Sequence, residues 1–245
     1  MNRIIVFALM FFCMTMQIEA QTLSEEEVTA KMYQAFELNK AAKKAEALEL
    51  FLIVGENTKQ QRNEGERQVY VCSQTMACQC YELLGRYKEG YLLGKSLLQG
   101  KLNDTERKDV GHLYAMNGYM YACEFIQRDE KGRADYKRGR ELISEILPYS
   151  DGQVKEYAET KIPLSWYFEG AQYAMTQSYD EALSSYEEAL NGFRDLGRVS
   201  EEVDVLSGIA SVKAHLCKFD EAKRVYYQAF VLAHQNGKVN KQMDV

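Results

Sequence analysis

A block of this chain recurs in phase, 40 residues further along. The segment 178–182 (Ser-Tyr-Asp-Glu-Ala) is echoed by 218–222 (Lys-Phe-Asp-Glu-Ala), and Tyr186 matches Tyr226 at the same offset. A fixed period of roughly 20–50 residues is the signature of stacked repeat proteins, in which each repeat buries its apolar face against its neighbours. The sequence therefore predicts a repeat architecture that leaves long faces accessible to partners.

Apolar residues inside the repeat recur at steps of three and four. Ala182, Tyr186 and Ala189 fall on one face of a helix at this spacing, and the alternating pattern of a strand is missing from the chain. Proline occurs only twice, at Pro148 and Pro163. We therefore expect an all-α chain of helices joined by short polar turns.

The clearest repeat has a large residue, a small one and an aromatic on its first helix, then small, aromatic and small residues on its second. These positions are held by Trp166, Gly170, Tyr173, Ala182, Tyr186 and Ala189. The pattern resembles the tetratricopeptide repeat (TPR), in the version of roughly forty residues found in exported bacterial proteins. A weaker copy departs from the pattern at Lys213 and uses Leu206, Ala210, Ala222, Tyr226 and Ala229. The resemblance implies a right-handed superhelical solenoid of antiparallel helical hairpins, with small residues allowing close helix contact.

We expect about five hairpins in the following organisation. Residues 1–20 form a signal peptide, 21–147 hold about three hairpins, and 164–238 hold two TPR hairpins. The stretch 148–163 between them is a linker or a short extra helix. Residues 239–245 repeat the lead-in of 199–205 at the offset of 40, so they are the start of a further repeat or a frayed end. This ending favours a fragment of a longer protein.

The start of the chain carries the pattern of an export signal. Asn2 and Arg3 precede the apolar run 4–16, and Ile18-Glu19-Ala20 offers a small residue at the cleavage point. The apolar run is shorter than the ~20 residues that span a bilayer, so a membrane link would need an uncleaved anchor or a downstream segment. We predict an exported chain, periplasmic or extracellular.

The charge and the cysteines limit the classes of partner and site. A formal net charge of −6 with interspersed signs gives no basic footprint for nucleic acid. Cys72, Cys78 and Cys80 lie at i, i+6 and i+8, which is not a zinc spacing. With Cys13 in the signal, five cysteines remain, so at least one is unpaired within a monomer.

The TPR resemblance implies a groove lined by the first helix of each hairpin. Carried over residue by residue, the lining positions are Asn39, Thr75, Gln79, Glu82, His112, Tyr119, Tyr167, Met175, Asp204, Ser207, Ser211 and His215. This mixed wall lacks the Lys/Asn/Arg set with which some family members hold a peptide's terminal carboxylate. Each position also suits ordinary helix surface, since binding energy is concentrated in few residues.

No catalytic constellation, phosphate loop or cofactor motif stands out, and the three histidines are far apart in sequence. We therefore expect no enzyme activity, no cofactor and no metal. The leading hypothesis is an exported scaffold that binds a protein or peptide. The alternatives are the extracytoplasmic sensor domain of a bacterial histidine kinase or transcriptional regulator, or a surface binder of small ligands or glycans. The oligomeric state is left open.

Overall fold

The computed structural model describes residues 23–127 and 134–237. In these ranges there are ten α-helices, a single 3₁₀ turn at Leu147–Tyr149 and no strand, so the predicted all-α class is confirmed. The helices are α1 (Glu25–Lys40), α2 (Lys44–Thr58), α3 (Glu64–Leu83), α4 (Tyr87–Leu98), α5 (Asp104–Ile126), α6 (Tyr136–Ile146), α7 (Gly152–Met175), α8 (Tyr179–Asp195), α9 (Val199–His215) and α10 (Phe219–Gln235).

Two expectations fall outside the described residues. They are the signal peptide at 1–20 and the further repeat or frayed end at 239–245. None of the described helices is both long and apolar enough to cross a bilayer.

The helices divide into two units at a different place from the sequence-based division. One unit ends at Leu84 and holds α1–α3, and the other begins at Gly85 and holds α4–α10. The break lies inside the segment 21–147, not at the stretch 148–163. Within each unit, helices pack on their neighbours in chain order, which is the packing of a solenoid.

In the first unit, α2 packs against both α1 and α3. The rings of Phe36 and Phe51 meet edge to face with centroids 5.4 Å apart. The α1 helix begins with a capping box, in which Ser24 Oγ accepts from the Glu27 backbone and the Glu27 carboxylate accepts from the Ser24 backbone. Both otherwise unpaired donors at the helix start are thereby satisfied.

In the second unit, α7 and α8 form an antiparallel hairpin. A Cβ at Gly170, near the turn, would lie 2.8 Å from Tyr186 Cδ1, and a Cβ at Gly192, far from the turn, would lie 2.8 Å from Pro163 Cβ. Such close contact is available only to glycine, which has no side chain. The helices therefore approach each other closely along their length.

The α7 helix is continuous through Pro163, so 148–163 is not a separate linker with its own short helix. Pro163 interrupts the helical hydrogen bonds because it has no backbone N–H. The ring is nevertheless buried, packed on Gly192, and Ser165 Oγ donates to Ile162 O at 2.7 Å just beyond it. Packing against α8 thus compensates for the missing hydrogen bond.

The turns around α8, α9 and α10 repeat every 20 residues. Gln177, Gly197, Cys217 and Gly237 all have φ between +59° and +71°. A left-handed residue after each helix reverses the chain direction, and glycine adopts it without steric cost. Two of the four positions carry a side chain, so those turns are under some strain.

Candidate functional site

One face of α7 carries a row of accessible side chains, which we call the α7 stripe. Tyr157, Lys161, Phe168 and Met175 are spaced i, i+4, i+11 and i+18, and these positions lie within one sector of a 3.6-residue helix. Tyr157, Phe168 and Met175 are all exposed, Met175 to 75%. Large apolar side chains on a solvent-facing helix side make this face a candidate for contact with a partner.

Tyr119 on α5 flanks the N-terminal half of the α7 stripe. Its ring stacks on Tyr157 with centroids 6.3 Å apart and an interplanar angle of 26°. Burial raises the pKa of the Tyr119 hydroxyl, and the neighbouring Cys123 thiol raises it further, so the hydroxyl stays protonated at neutral pH. Tyr119 is half-buried beneath the stacked ring of Tyr157, whereas Tyr157 is exposed.

Tyr167 and Asp204 flank the C-terminal half of the stripe. The Tyr167 ring lies 5.7 Å from Phe168 and 5.8 Å from Tyr186, measured between centroids. Burial raises the pKa of Tyr167, and the negative charge of Asp204 on α9 raises it further. The Tyr167 hydroxyl therefore stays protonated near the exposed Asp204 carboxylate. The two groups together provide a hydrogen-bond donor and an acceptor.

The two expected groove histidines have local partners. His112 Nδ1 lies 3.0 Å from Asp151 Oδ1, which joins α5 to the start of α7. The His215 ring stacks on Tyr179 with centroids 5.8 Å apart, joining the end of α9 to the start of α8. Both histidines are exposed, yet each ring has a partner that fixes its orientation.

The remaining candidates of the second unit are Ser207 and Ser211 on α9, both half-buried. Ser207 Oγ donates to Val203 O at 2.9 Å, within its own helix. Because that hydroxyl hydrogen is engaged in the helix, Ser207 offers a partner only acceptor capacity.

Four candidates lie in the first unit. The Lys44 ammonium donates to the Asn39 carbonyl and side chain, and Thr75 Oγ1 donates to Val71 O at 2.7 Å. Gln79 is exposed and Glu82 is half-buried. These four belong to a different unit from the α7 stripe, so the site described here consists of α5, α7 and α9 alone.

The positions of the repeat pattern fall into two groups. Gly170, Ala182, Tyr186, Ala189, Ala210, Ala222 and Ala229 are buried, and Trp166 and Tyr173 are half-buried. Tyr226 departs from the expected packing role because 46% of its surface is exposed. Tyr186 packs on Gly208 of α9, whereas α10 has no following helix in residues 23–127 and 134–237.

An arginine that sequence reasoning missed fixes the orientation of α7. The Arg140 guanidinium on α6 lies 3.4 Å from the centroid of the Trp166 ring, and its Nη2 donates to Glu169 Oε2 at 2.8 Å. The ion pair is largely buried, with 11% and 17% of the two side chains exposed. A cation over an indole face combined with a buried ion pair locks the helices in one rotation.

Tyr157, Lys161 and Phe168 were also missed as site residues. Ending the expected linker at position 163 divided α7 in two and hid the spacing that relates these three residues. The apolar spacing of Val154, Ala158 and Ile162 runs straight into the repeat and is the signal that one helix covers the region.

The described residues hold little reactive chemistry. In residues 23–127 and 134–237 no cluster of three or more His, Cys, Asp or Glu side chains is placed to hold a metal ion. Burial raises the pKa of the Cys78 thiol to about 12, so this thiol is protonated at neutral pH and a poor nucleophile.

Comparison with known proteins finds similarity to solved structures. No family model matches the chain. No curated protein matches it either. Among solved structures it is similar to a Podosopora anserina putative kinesin light chain with nearly identical TPR-like repeats (Q17M), at 14% identity and a TM-score of 0.35, over 86% of this chain and 96% of the other. At so low an identity and TM-score, nothing about function follows from this match.

Proposed function

We propose that the chain is a non-catalytic scaffold that binds a peptide or protein segment along the α7 stripe. The observation that carries this proposal is the row of exposed apolar side chains, Tyr157, Phe168 and Met175, on a helix whose opposite side is packed. At a rise of 1.5 Å per residue, the helix from Tyr157 to Met175 extends about 27 Å. That length suits a segment of about eight extended residues.

The stripe and the residues beside it favour a partner with both apolar and polar groups. Tyr119 and Tyr167 supply aromatic walls, Lys161 supplies a cation, and Asp204 supplies a carboxylate acceptor. Tyrosine-rich surfaces bind well because each ring combines apolar area with a polar tip at a low entropic cost. A peptide with spaced large apolar residues fits this surface better than a purely charged one.

The test is selection of peptides from a random displayed library on the purified protein. We expect enrichment of sequences with spaced apolar residues, and at least ~10-fold weaker binding of the winning peptide to Tyr157→Ala and Phe168→Ala, as at an interface anchor. Tyr33→Ala is the control, since Tyr33 is an exposed aromatic on α1, in the other unit and outside the stripe. Binding that survives both stripe substitutions, or falls equally with the control, would refute the proposal.

Export is a separate proposal that rests on residues 1–20. Intact mass measurement of the protein recovered from outside the cytoplasm tests it, with a mature chain beginning at Gln21 as the expected result. Recovery of the intact chain from the cytoplasm alone would contradict it.

A further inference from the structure

The outer side of α10 carries an exposed aromatic surface that is wider than the repeat requires. Phe219, Tyr226, Tyr227 and Phe230 are all exposed, Tyr227 to 68%. At the offset of 40, Tyr227 occupies the position of Glu187, a solvated acid on α8. Repeat packing explains the apolar residues at positions 226 and 230. The aromatic residue at position 227 makes the apolar sector of α10 wider than repeat packing requires.

This surface lies next to the buried side of α10 and is distinct from it. Ala222, Ala229 and Ala233 pack into the core. At 3.6 residues per turn, Phe219, Lys223, Tyr226, Tyr227, Phe230 and His234 share an adjoining sector of about 100°, the width of a packed helix face. The α10 helix therefore has two apolar faces, of which the described chain buries one.

The equivalent face of α8 shows what kind of element covers such a surface. That face of α8 is covered by the helix α9, in which Gly208 packs against the Tyr186 ring. Arg194 of α8 also forms an ion pair with Glu202 of α9, at 2.7 Å. A helix with apolar and charged positions in register is thus the matching partner for the outer face of α10.

We propose that the partner is the α10 helix of a second copy, packed antiparallel about a two-fold axis between Tyr226 and Tyr227. This arrangement sets Tyr226 opposite Tyr227 of the other copy, Lys223 opposite Phe230, and Phe219 opposite His234. An isologous contact needs a self-complementary surface, and each pairing here joins two aromatics, or a cation and an aromatic ring.

Two features of α10 support a second copy over an unrelated helix. The Phe230 and His234 rings already stack with an interplanar angle of 9°, so Phe219 of the other copy extends an existing aromatic stack. Lys223 is exposed and sits one turn from Phe219 and two turns from Phe230, where the two-fold axis brings it over the other copy's ring. One helix pair is a small interface, so we expect association in the micromolar range.

The test is sedimentation equilibrium of the purified protein over a concentration series. We expect a reversible dimer that Tyr227→Glu, which installs the residue of the α8 position, weakens at least ~10-fold. Tyr33→Glu is the control at a similarly exposed tyrosine and leaves the dimer unchanged. Circular dichroism confirms that both variants remain folded.

A rescue experiment tests the proposed register. Lys223→Glu and Phe230→Lys are each expected to weaken the dimer, and the double variant is expected to restore it. In the double variant, the carboxylate at position 223 of each copy faces the ammonium at position 230 of the other copy, so two ion pairs form across the two-fold axis. A monomer at every concentration overturns the proposal, as does a dimer insensitive to Tyr227→Glu. If truncation after Gly237 creates a dimer that the full chain lacks, residues 238–245 are the occupant and the proposal is wrong.

Discussion

The helices α8 and α10 occupy the same place in successive repeats but differ in what surrounds them. Tyr186 on α8 is 4% exposed and lies between Gly170 of α7 and Gly208 of α9, whereas Tyr226, its counterpart on α10, is 46% exposed. The side chains are identical, so neighbours rather than residue type decide burial. A repeat position has an energetic role only when the next helix is present.

The largest expected effect is a difference between two equivalent truncations. Tyr186→Ala empties a packed site between three helices and should lower the free energy of unfolding by about 3 kcal/mol. Tyr226→Ala removes a side chain that is half in water and should cost less than about 1 kcal/mol. Urea denaturation of both variants measures the difference. Equal losses would mean that Tyr226 is covered in solution.

A smaller effect is expected from filling the space around Tyr186. A Cβ at Gly208 would lie 2.8 Å from Tyr186 Cζ, and a Cβ at Gly170 would lie 2.8 Å from Tyr186 Cδ1. Gly170→Ala and Gly208→Ala should each destabilise the fold by about 1–2 kcal/mol through overpacking. The matched control is Gly85→Ala, which meets no neighbour but has φ of +69° and reports backbone strain alone. Stabilisation by Gly208→Ala would show that the ring does not occupy this site.

The ionisation of Tyr186 provides a pH test of the same burial. Burial raises its pKa from 10.0 to about 12, and the charge of Tyr167 adds to the shift. Because the folded-state pKa is the higher one, the stabilising contribution is complete below pH 10 and is lost as the pH rises through 12. Tyr186→Phe cannot ionise, so it should lose less stability than wild type across this window. Parallel pH–stability curves would contradict the buried hydroxyl.

The smallest expected effect concerns the turns that precede α8 and α10. Gln177 and Cys217 have φ of 62° and 59°. The equivalent position of the turn between them, which precedes α9, is occupied by a glycine, Gly197. Gln177→Gly and Cys217→Gly should each stabilise the fold by about 0.5 kcal/mol through relief of strain. Thermal unfolding measures both. If only one of the two substitutions stabilised the fold, part of the difference between α8 and α10 would arise from the turns that precede them.

Sequence predicted the helical class and much of the register because small residues at a fixed period leave a clear pattern. Gly170, Ala182 and Ala189 are buried as such a pattern requires. It did not predict the exposure of Tyr226, because periodicity marks the face of a helix and not the neighbour that covers it.

The site was only partly predictable for a related reason. Tyr119 and Tyr167 followed from the TPR resemblance, but Tyr157 and Phe168 depended on reading α7 through Pro163. A proline normally ends a helix. Here its ring packs on Gly192, a contact made across the hairpin and invisible to local sequence rules.

The most direct test of this account is amide hydrogen exchange of α8 and α10 in dilute protein. Exchange reports local opening, and a helix packed on both sides opens only with larger parts of the structure. We expect strong protection of α8 and weaker protection of α10 that increases with protein concentration as the second copy covers its outer face. Equal protection of the two helices in dilute solution would contradict the claim that the described helices leave the outer face of α10 uncovered.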